Sequence, residues 1–332
     1  MAKVAVLGAG AWGTALAKVL AEKGRETLLW SHRADMAEHI NRDRVNHRYL
    51  PGAELPSTLR ATPDLEEALG GAELCVLVVP SHALRGVVRE ARPHLRSEAL
   101  ICSATKGIEN DSLMLMSEIL VDELGRGVEP RLTYLSGPSF AKEVAASQPT
   151  AVVVAGVSEA ETCAVQRAFA TERLRVYSSQ DVVGVEVGGA LKNVVAIAAG
   201  AADGLGFGHN ARAGLITRGL AEIARVATAK GGNPLTVAGL SGMGDLVLTC
   251  TGELSRNRTV GFEMGRGRQL DDVLATLGHV AEGVKTAKSA YDLGAKFGVE
   301  MPITCEVYKV LYEGKSPRQA VVDLMNRPLT NE

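Results

Sequence analysis

The chain has 332 residues, more than one hydrophobic core comfortably serves, which points to about two domains. With 46% apolar and 22% charged residues it has the composition of a soluble globular protein, and its five cysteines lack any C-x-x-C spacing, which argues for reduced core thiols over a disulfide framework. A formal net charge of −2 and only 4% aromatics exclude the basic face and stacking platforms of a nucleic-acid binder, so no nucleic acid partner is expected.

The first apolar run, Lys3–Leu7, predicts a strand. It leads into Gly8-Ala9-Gly10-Ala11-Trp12-Gly13 and then a helical pattern over Thr14–Lys23. A G-x-G-x-x-G that follows a strand and opens a helix is the phosphate turn of a dinucleotide-binding domain. Gly8 permits the tight turn, Gly10 lets a pyrophosphate approach the backbone, Gly13 lets the helix pack on the strand, and the helix N-terminus supplies N–H donors. Thr27–Trp30 predicts the second strand, which ends in Ser31-His32-Arg33. An NAD-preferring site carries an acid there for the ribose 2′-hydroxyl, whereas Arg33 and Ser31 suit a 2′-phosphate. The expected cofactor is therefore NADP(H), with NAD(H) as the tolerated alternative.

Further strands are predicted at Leu74–Val79, Leu100–Ser103, Leu132–Ser136, Ala151–Ala155 and Arg175–Ser178. Ser158 and Glu161 form a capping-box signal for a helix over Ser158–Glu172. The alternation predicts a Rossmann-type α/β domain with a parallel-rich sheet covered on both faces. Ligands gather at the carboxyl ends of such strands, which nominates Pro80-Ser81-His82, Lys106-Gly107 and Gly137-Pro138-Ser139. His82 is a tempting base, but nothing in the sequence pairs it with a carboxylate.

After Asp181 strand-like runs nearly vanish, and an all-α second domain is predicted, with residues 1–181 forming the first domain and 182–332 the second. Gly214–Lys230 reads as a helix stopped by Gly231-Gly232, and Asn233-Pro234, Met301-Pro302 and Ser316-Pro317 open three more. The apolar stretch Val182–Ala202 contains Glu186, Lys192 and Asn193, which favours a buried helix over a membrane span. With no secretory leader pattern at the start, a cytoplasmic protein without stable membrane insertion is expected.

A lysine in an apolar helix is costly to desolvate, so Lys192 is a candidate for chemistry. An ammonium beside a ketone oxygen can stabilise the charge that develops during hydride transfer and then protonate it. Pairing with Glu186 or Asp245 is the structural alternative. Asp245, after Gly242-Met243-Gly244, would orient that ammonium or bind a substrate hydroxyl. Ser255-Arg256-Asn257-Arg258 reads as a helix start with Ser255 as N-cap, offering N–H groups and a guanidinium to a phosphate. Arg258 is assigned to surface charge. The histidines and cysteines show no metal-ligand spacing, so no metal is expected.

Together these segments resemble the bacterial NAD(P)-dependent glycerol-3-phosphate dehydrogenase family. The resemblance is carried by GAGAWGTALA, ATKGIE around Lys106, LSGPSFAKEV around Ser139, GGALKN around Lys192, GLSGMGDLVLTC around Asp245, SRNR at Ser255–Arg258 and VAEGVKT around Glu282. It implies interconversion of sn-glycerol 3-phosphate and dihydroxyacetone phosphate with NAD(P)(H), supplying glycerol phosphate for glycerophospholipid synthesis. It implies Lys192 as general acid/base, and substrate contacts from Lys106, Gly137, Ser139, Lys192, Asp245, Ser255, Arg256 and Asn257. Cofactor contacts then fall on Gly8, Gly10, Ala11, Trp12, Gly13, His32, Arg33, Lys106, Ala141, Arg256, Val280 and Glu282. Position 11 is Ala where many members have Ser, so a hydroxyl contact is lost there. The resemblance and the long apolar carboxy-terminal helices together suggest a homodimer. Competing readings are a different ketone or hydroxyacid dehydrogenase and a non-catalytic NADP(H)-binding protein. Lys106 and SRNR favour a phosphorylated substrate over the first, and the set Lys106, Lys192, Asp245 and Arg256 argues against the second.

Overall fold

In the first strand Val4 and Val6 are buried in one apolar layer, while Ala5 and Leu7 are buried in another. Strict alternation with both sides apolar is what a strand in the middle of a covered sheet requires. The computed structural model describes residues 3–277 and 281–329 and extends that strand into a sheet with helices on both faces.

The strands are β1 (Lys3–Leu7), β2 (Glu26–Trp30), β3 (Val45–Asn46), β4 (Leu50–Glu54), β5 (Leu59–Thr62), β6 (Leu74–Leu77), β7 (Leu100–Ser103), β8 (Leu132–Ser136), β9 (Thr150–Ala155) and β10 (Leu174–Ser179). Eight of them form one sheet in the order β10-β9-β8-β7-β6-β1-β2-β5, and β3 and β4 make a separate hairpin. The order reverses at β1, which pairs in parallel with β2 on one side and β6 on the other. That reversal opens the crevice in which open parallel sheets bind ligands.

Each predicted strand is present, with ends shifted by up to two residues; β6 stops at Leu77, short of Val79. The sheet departs from the sequence reading in three places. β5 and the β3–β4 hairpin carry no strand signal: Leu59-Arg60-Ala61-Thr62 is short, lies between Pro56 and Pro63, and exposes Arg60 at the sheet edge. β9 runs antiparallel to β8, because the link 137–149 holds only the short helix Ala141–Ala145 and turns the chain back on itself. The helix begun by Ser158 ends at Phe169, short of Glu172, and that before Gly231 starts at His209, five residues ahead of Gly214.

The chain divides into two units. One comprises the residues up to Lys106 together with Met114–Val182; the other comprises Gly107–Leu113 together with the chain from Val183 onward. The expected division between 181 and 182 lies one residue before this one, and the heptapeptide Gly107–Leu113 packs with the helical unit, where Ser289 Oγ donates to Ile108 O.

The helical unit is organised around the helix Val182–Gly204, long and apolar enough to cross a membrane but with 83% of its apolar window buried inside the protein. Its partner is the helix Arg256–Gly265, and the two cross almost backbone to backbone. A Cβ on Gly200 would sit 2.0 Å from Arg258 O, one on Gly204 2.2 Å from Phe262 O, one on Gly261 1.9 Å from Ile197 O and one on Gly265 2.4 Å from Ala201 O. Glycines four residues apart on both helices therefore set the separation. The crossing predicts that Gly261→Ala destabilises the chain by roughly 2 kcal/mol or more, because the added methyl has no room and both backbones must part. Gly214→Ala, a helical position open to solvent, should be neutral or stabilising by comparison. Urea unfolding of the two variants measures the difference.

Candidate functional site

In the first unit the glycines divide by what a side chain would meet. Gly8 has φ +122° and its Cβ would lie 2.4 Å from Val78 O, at the junction of β1 and β6; Gly13 would clash with Gly8 O at 1.9 Å. A Cβ on Gly10 meets nothing within 4 Å. Two of the glycines thus hold the turn and the helix against the sheet, and the middle one leaves its backbone approachable. The helix Ala11–Glu22 begins immediately after Gly10, so the N–H groups of Ala11, Trp12 and Gly13 precede the first intrahelical bond, Thr14 N to Gly10 O. The indole Nε1 of Trp12 is buried without a hydrogen-bond partner. Unpartnered donors around open backbone at a helix N-terminus fit a dinucleotide pyrophosphate.

Sequence reasoning missed the support beneath this turn. Asn46, fully buried in β3, donates from Nδ2 to Ala9 O at 2.9 Å and to Thr14 Oγ1 at 2.8 Å, tying the hairpin to the glycine turn. A contact spanning more than thirty residues of chain leaves no local signal. At the end of β2, Ser31 is buried and its Oγ accepts the Arg33 N–H at 3.2 Å, so it shapes the turn. His32 is exposed beside the Trp30 ring. Arg33 is half-buried and forks onto Asp35, Nε to Oδ1 at 3.1 Å and Nη2 to Oδ2 at 2.6 Å.

At the far strand ends, Lys106 Nζ donates to Gly137 O at 3.2 Å and Ser139 Oγ donates to the same carbonyl at 2.9 Å. Three nominated residues thus converge at the ends of β7 and β8. Gly137 must be glycine, with φ +130° and Val152 Cα 3.0 Å from its would-be Cβ. Ala141 opens the short helix that follows. His82 is exposed on the first turn of the helix Ser81–Ala91.

In the second unit Lys192 is 7% exposed and Asp245 1% exposed. Lys192 Nζ lies 2.5 Å from Asp245 Oδ1 and 2.9 Å from Thr249 Oγ1, and Thr249 donates to Asp245 O at 2.6 Å. Thr249 was not anticipated; it stands one helical turn after Asp245 and faces the same way, a spacing that would have found it. The helix carrying both begins from a π-turn, Leu240–Gly244. Gly188, one turn before Lys192, lets that turn approach, since its Cβ would lie 2.9 Å from Ser241 O. Burial pushes the neighbouring Cys250 thiol up to about 12, which leaves it protonated and unreactive.

Ser255 caps the helix Arg256–Gly265, its Oγ accepting from Arg258 N–H at 3.2 Å. Arg256 is exposed at the first helical position, and Asn257 is buried with Oδ1 accepting from Gly283 N at 2.9 Å. That bond fastens the start of the helix Glu282–Phe297, placing Glu282 beside Asn257; a Cβ on Gly283 would also lie 2.8 Å from Asn193 O, next to Lys192. Val280 lies outside the described residues. Arg258 is not the surface charge the sequence suggested. Its side chain is 18% exposed and forks onto Asp203 Oδ2 at 3.0 and 2.7 Å, while Arg212 grips Oδ1, because this face of the helix packs against Val182–Gly204.

Two family models cover this chain: the N-terminal part of NAD-dependent glycerol-3-phosphate dehydrogenase matches residues 3–162, and the C-terminal part matches 181–322. The chain belongs to the NAD-dependent glycerol-3-phosphate dehydrogenase family. It is similar to glycerol-3-phosphate dehydrogenase [NAD(P)+] of Myxococcus xanthus, 56% identical over 98% of both chains, and to that of Geobacter sulfurreducens, 54% identical over 99% of this chain and 98% of the relative. The crystal structure of glycerol-3-phosphate dehydrogenase from Coxiella burnetii superposes with a TM-score of 0.94 at 41% identity, covering 98% of this chain and 99% of that one. Members of the family are oxidoreductases.

The Lys192–Asp245 pair carries its own expectation. Removing one partner of a buried ion pair leaves an uncompensated charge, so Asp245→Ala is expected to lose about 3 kcal/mol or more of stability. Asp245→Asn, which keeps an oxygen for Lys192 Nζ, is expected to lose less. Chemical denaturation of the two variants reads the difference.

Proposed function

We propose that the protein is a glycerol-3-phosphate dehydrogenase [NAD(P)+], reducing dihydroxyacetone phosphate to sn-glycerol 3-phosphate for glycerophospholipid synthesis. The carrying observation is the buried Lys192–Asp245–Thr249 cluster, in a chain matched by the family along nearly its whole length. Relatives more than half identical are named glycerol-3-phosphate dehydrogenase [NAD(P)+].

Reducing a ketone takes a hydride and a proton. Bound NAD(P)H supplies the hydride. The chain's own part is to meet the charge that builds on the carbonyl oxygen and to deliver the proton, and Lys192 Nζ does both. Asp245 Oδ1 and Thr249 Oγ1 fix the direction of that ammonium, which spares reorganisation during the reaction. The substrate phosphate is held by Arg256 and the helix start capped by Ser255, with Asn257 alongside. Lys106, Gly137 and Ser139 complete the set of substrate contacts, with Lys106 also serving the cofactor.

The glycine turn at Gly8, Gly10 and Gly13 takes the cofactor pyrophosphate, with Ala11, Trp12, His32, Arg33, Ala141, Arg256, Val280 and Glu282 as its other contacts. Arg33, and the absence of an acid at Ser31-His32-Arg33, support preferential use of NADP(H) with NAD(H) accepted. The protein works in the cytoplasm. Exposed Val322, Met325 and Leu329 near the carboxy-terminal end support a homodimer, which light scattering measures.

Initial rates of NADPH oxidation with dihydroxyacetone phosphate test the reaction directly; binding of the cofactor without turnover would overturn it. Lys192→Ala should lower kcat by about 10²–10⁴-fold with cofactor affinity retained, the usual range for a lost general acid. Arg256→Ala should instead raise KM for dihydroxyacetone phosphate by about tenfold or more, the measure of a lost charge-assisted phosphate contact.

A further inference from the structure

The acid missing from the end of β2 stands two residues further on. Asp35 sits in the first turn of the helix Ala34–Asp43 and engages Arg33 through both carboxylate oxygens. The edge of the guanidinium it occupies, Nε with Nη2, is one of the donor pairs that would grip a phosphate bidentately. Arg33 cannot give those two donors to a 2′-phosphate and to Asp35 at once.

We propose that Asp35 is a specificity-determining residue that holds Arg33 in competition with the 2′-phosphate, keeping the preference for NADP(H) over NAD(H) shallow. The inference rests on the dinucleotide reading of the glycine turn and on Arg33 as the 2′-phosphate ligand. Exchange is feasible because the pair is weak: the side chains of Arg33 and Asp35 are 39% and 55% exposed, and ion pairs so open to water contribute little. The more highly charged phosphate displaces the carboxylate, and a free 2′-hydroxyl leaves the pair undisturbed. Arg33 holds the Asp35 carboxyl down at about 2, so it competes as an anion at every working pH. Asp35 therefore opposes NADP(H) by occupying the fork that would otherwise grip the 2′-phosphate.

The test is equilibrium calorimetry on the full chain with two probes that differ only in the 2′-phosphate, adenosine 2′,5′-bisphosphate and adenosine 5′-monophosphate. The readout is the ratio of their affinities. Asp35→Asn should raise the ratio in favour of the bisphosphate by about three- to fivefold, the upper scale of one exposed charge pair. Arg33→Ala should lower it by about tenfold or more. In the Arg33→Ala background Asp35→Asn should move the ratio by no more than about twofold, because a competitor has nothing left to hold. Asp35→Ala, with circular dichroism to confirm the fold, provides a second substitution should the amide at position 35 find a contact of its own.

An unchanged ratio in both Asp35 variants, with Arg33→Ala lowering it, overturns the role of Asp35 and leaves the cofactor reading standing. An equal gain with and without Arg33 overturns the holding of Arg33 in favour of direct repulsion. An unchanged ratio in Arg33→Ala overturns Arg33 as the phosphate ligand, and failure of the unmodified protein to bind either probe overturns the dinucleotide site itself.

Discussion

Burying an ammonium is the constraint from which the helical unit is built. Lys192 lies in the middle of a helix whose other residues are almost all apolar, and desolvating its charge costs several kcal/mol unless that charge is met. Asp245 and Thr249 meet it, and they do so from a separate helix that must be brought within hydrogen-bond distance. The features that look peripheral to the lysine follow from this need. The π-turn at Leu240–Gly244 advances Asp245, Gly188 lets that turn approach the lysine helix, and Gly242 clears Val237 O, 1.9 Å from where its Cβ would be.

The same helix also fixes the proposed phosphate grip, by a different device. Glycines at 200, 204, 261 and 265 remove the side chains between two helices, so backbone contact rather than interdigitated side chains sets their separation. Contact of that kind tolerates little sliding. The Asp203 carboxylate, gripped by Arg212 and Arg258 together, then fixes the two helices at the level of Arg258. Arg256 lies two residues before Arg258, so its exposed guanidinium starts from an immobile base. A side chain that must wait for a ligand gains most from a backbone that does not move.

Much of this was legible in the sequence where the cause is local. The glycine turn is a run of six residues whose roles follow from backbone sterics alone, and the Ser255 cap follows from the residue type preceding a helical pattern. Where the cause lies in tertiary packing the sequence is silent. Asn46 supports the glycine turn from more than thirty residues away. Arg258 resembles any other charge at a helix start until the glycine crossing turns its face inward. Strand content gives no direction, so β9 could be recognised as a strand without its antiparallel course. Thr249 is the intermediate case: its spacing from Asp245 was readable once Asp245 was taken as a helical residue and not as the end of a turn.

The two units therefore place different demands on their residues. The dinucleotide turn depends mainly on what is absent, since two of its three glycines are required by clashes with the turn and sheet and the third, Gly10, leaves its backbone uncovered. Such a site fixes a pyrophosphate but is indifferent to what the cofactor will reduce. The helical unit depends on what is present, a buried cation with its two oxygens and an exposed guanidinium on an immobile helix. In the proposed reaction those groups distinguish a phosphorylated ketone from other carbonyl compounds. Between these extremes lies the end of β2, where one residue pair, Arg33 and Asp35, is partly open to solvent on a weak contact. Exposed side chains on a rigid turn can change without disturbing the core, so the cofactor choice proposed for Arg33 and Asp35 is the property most readily altered by substitution.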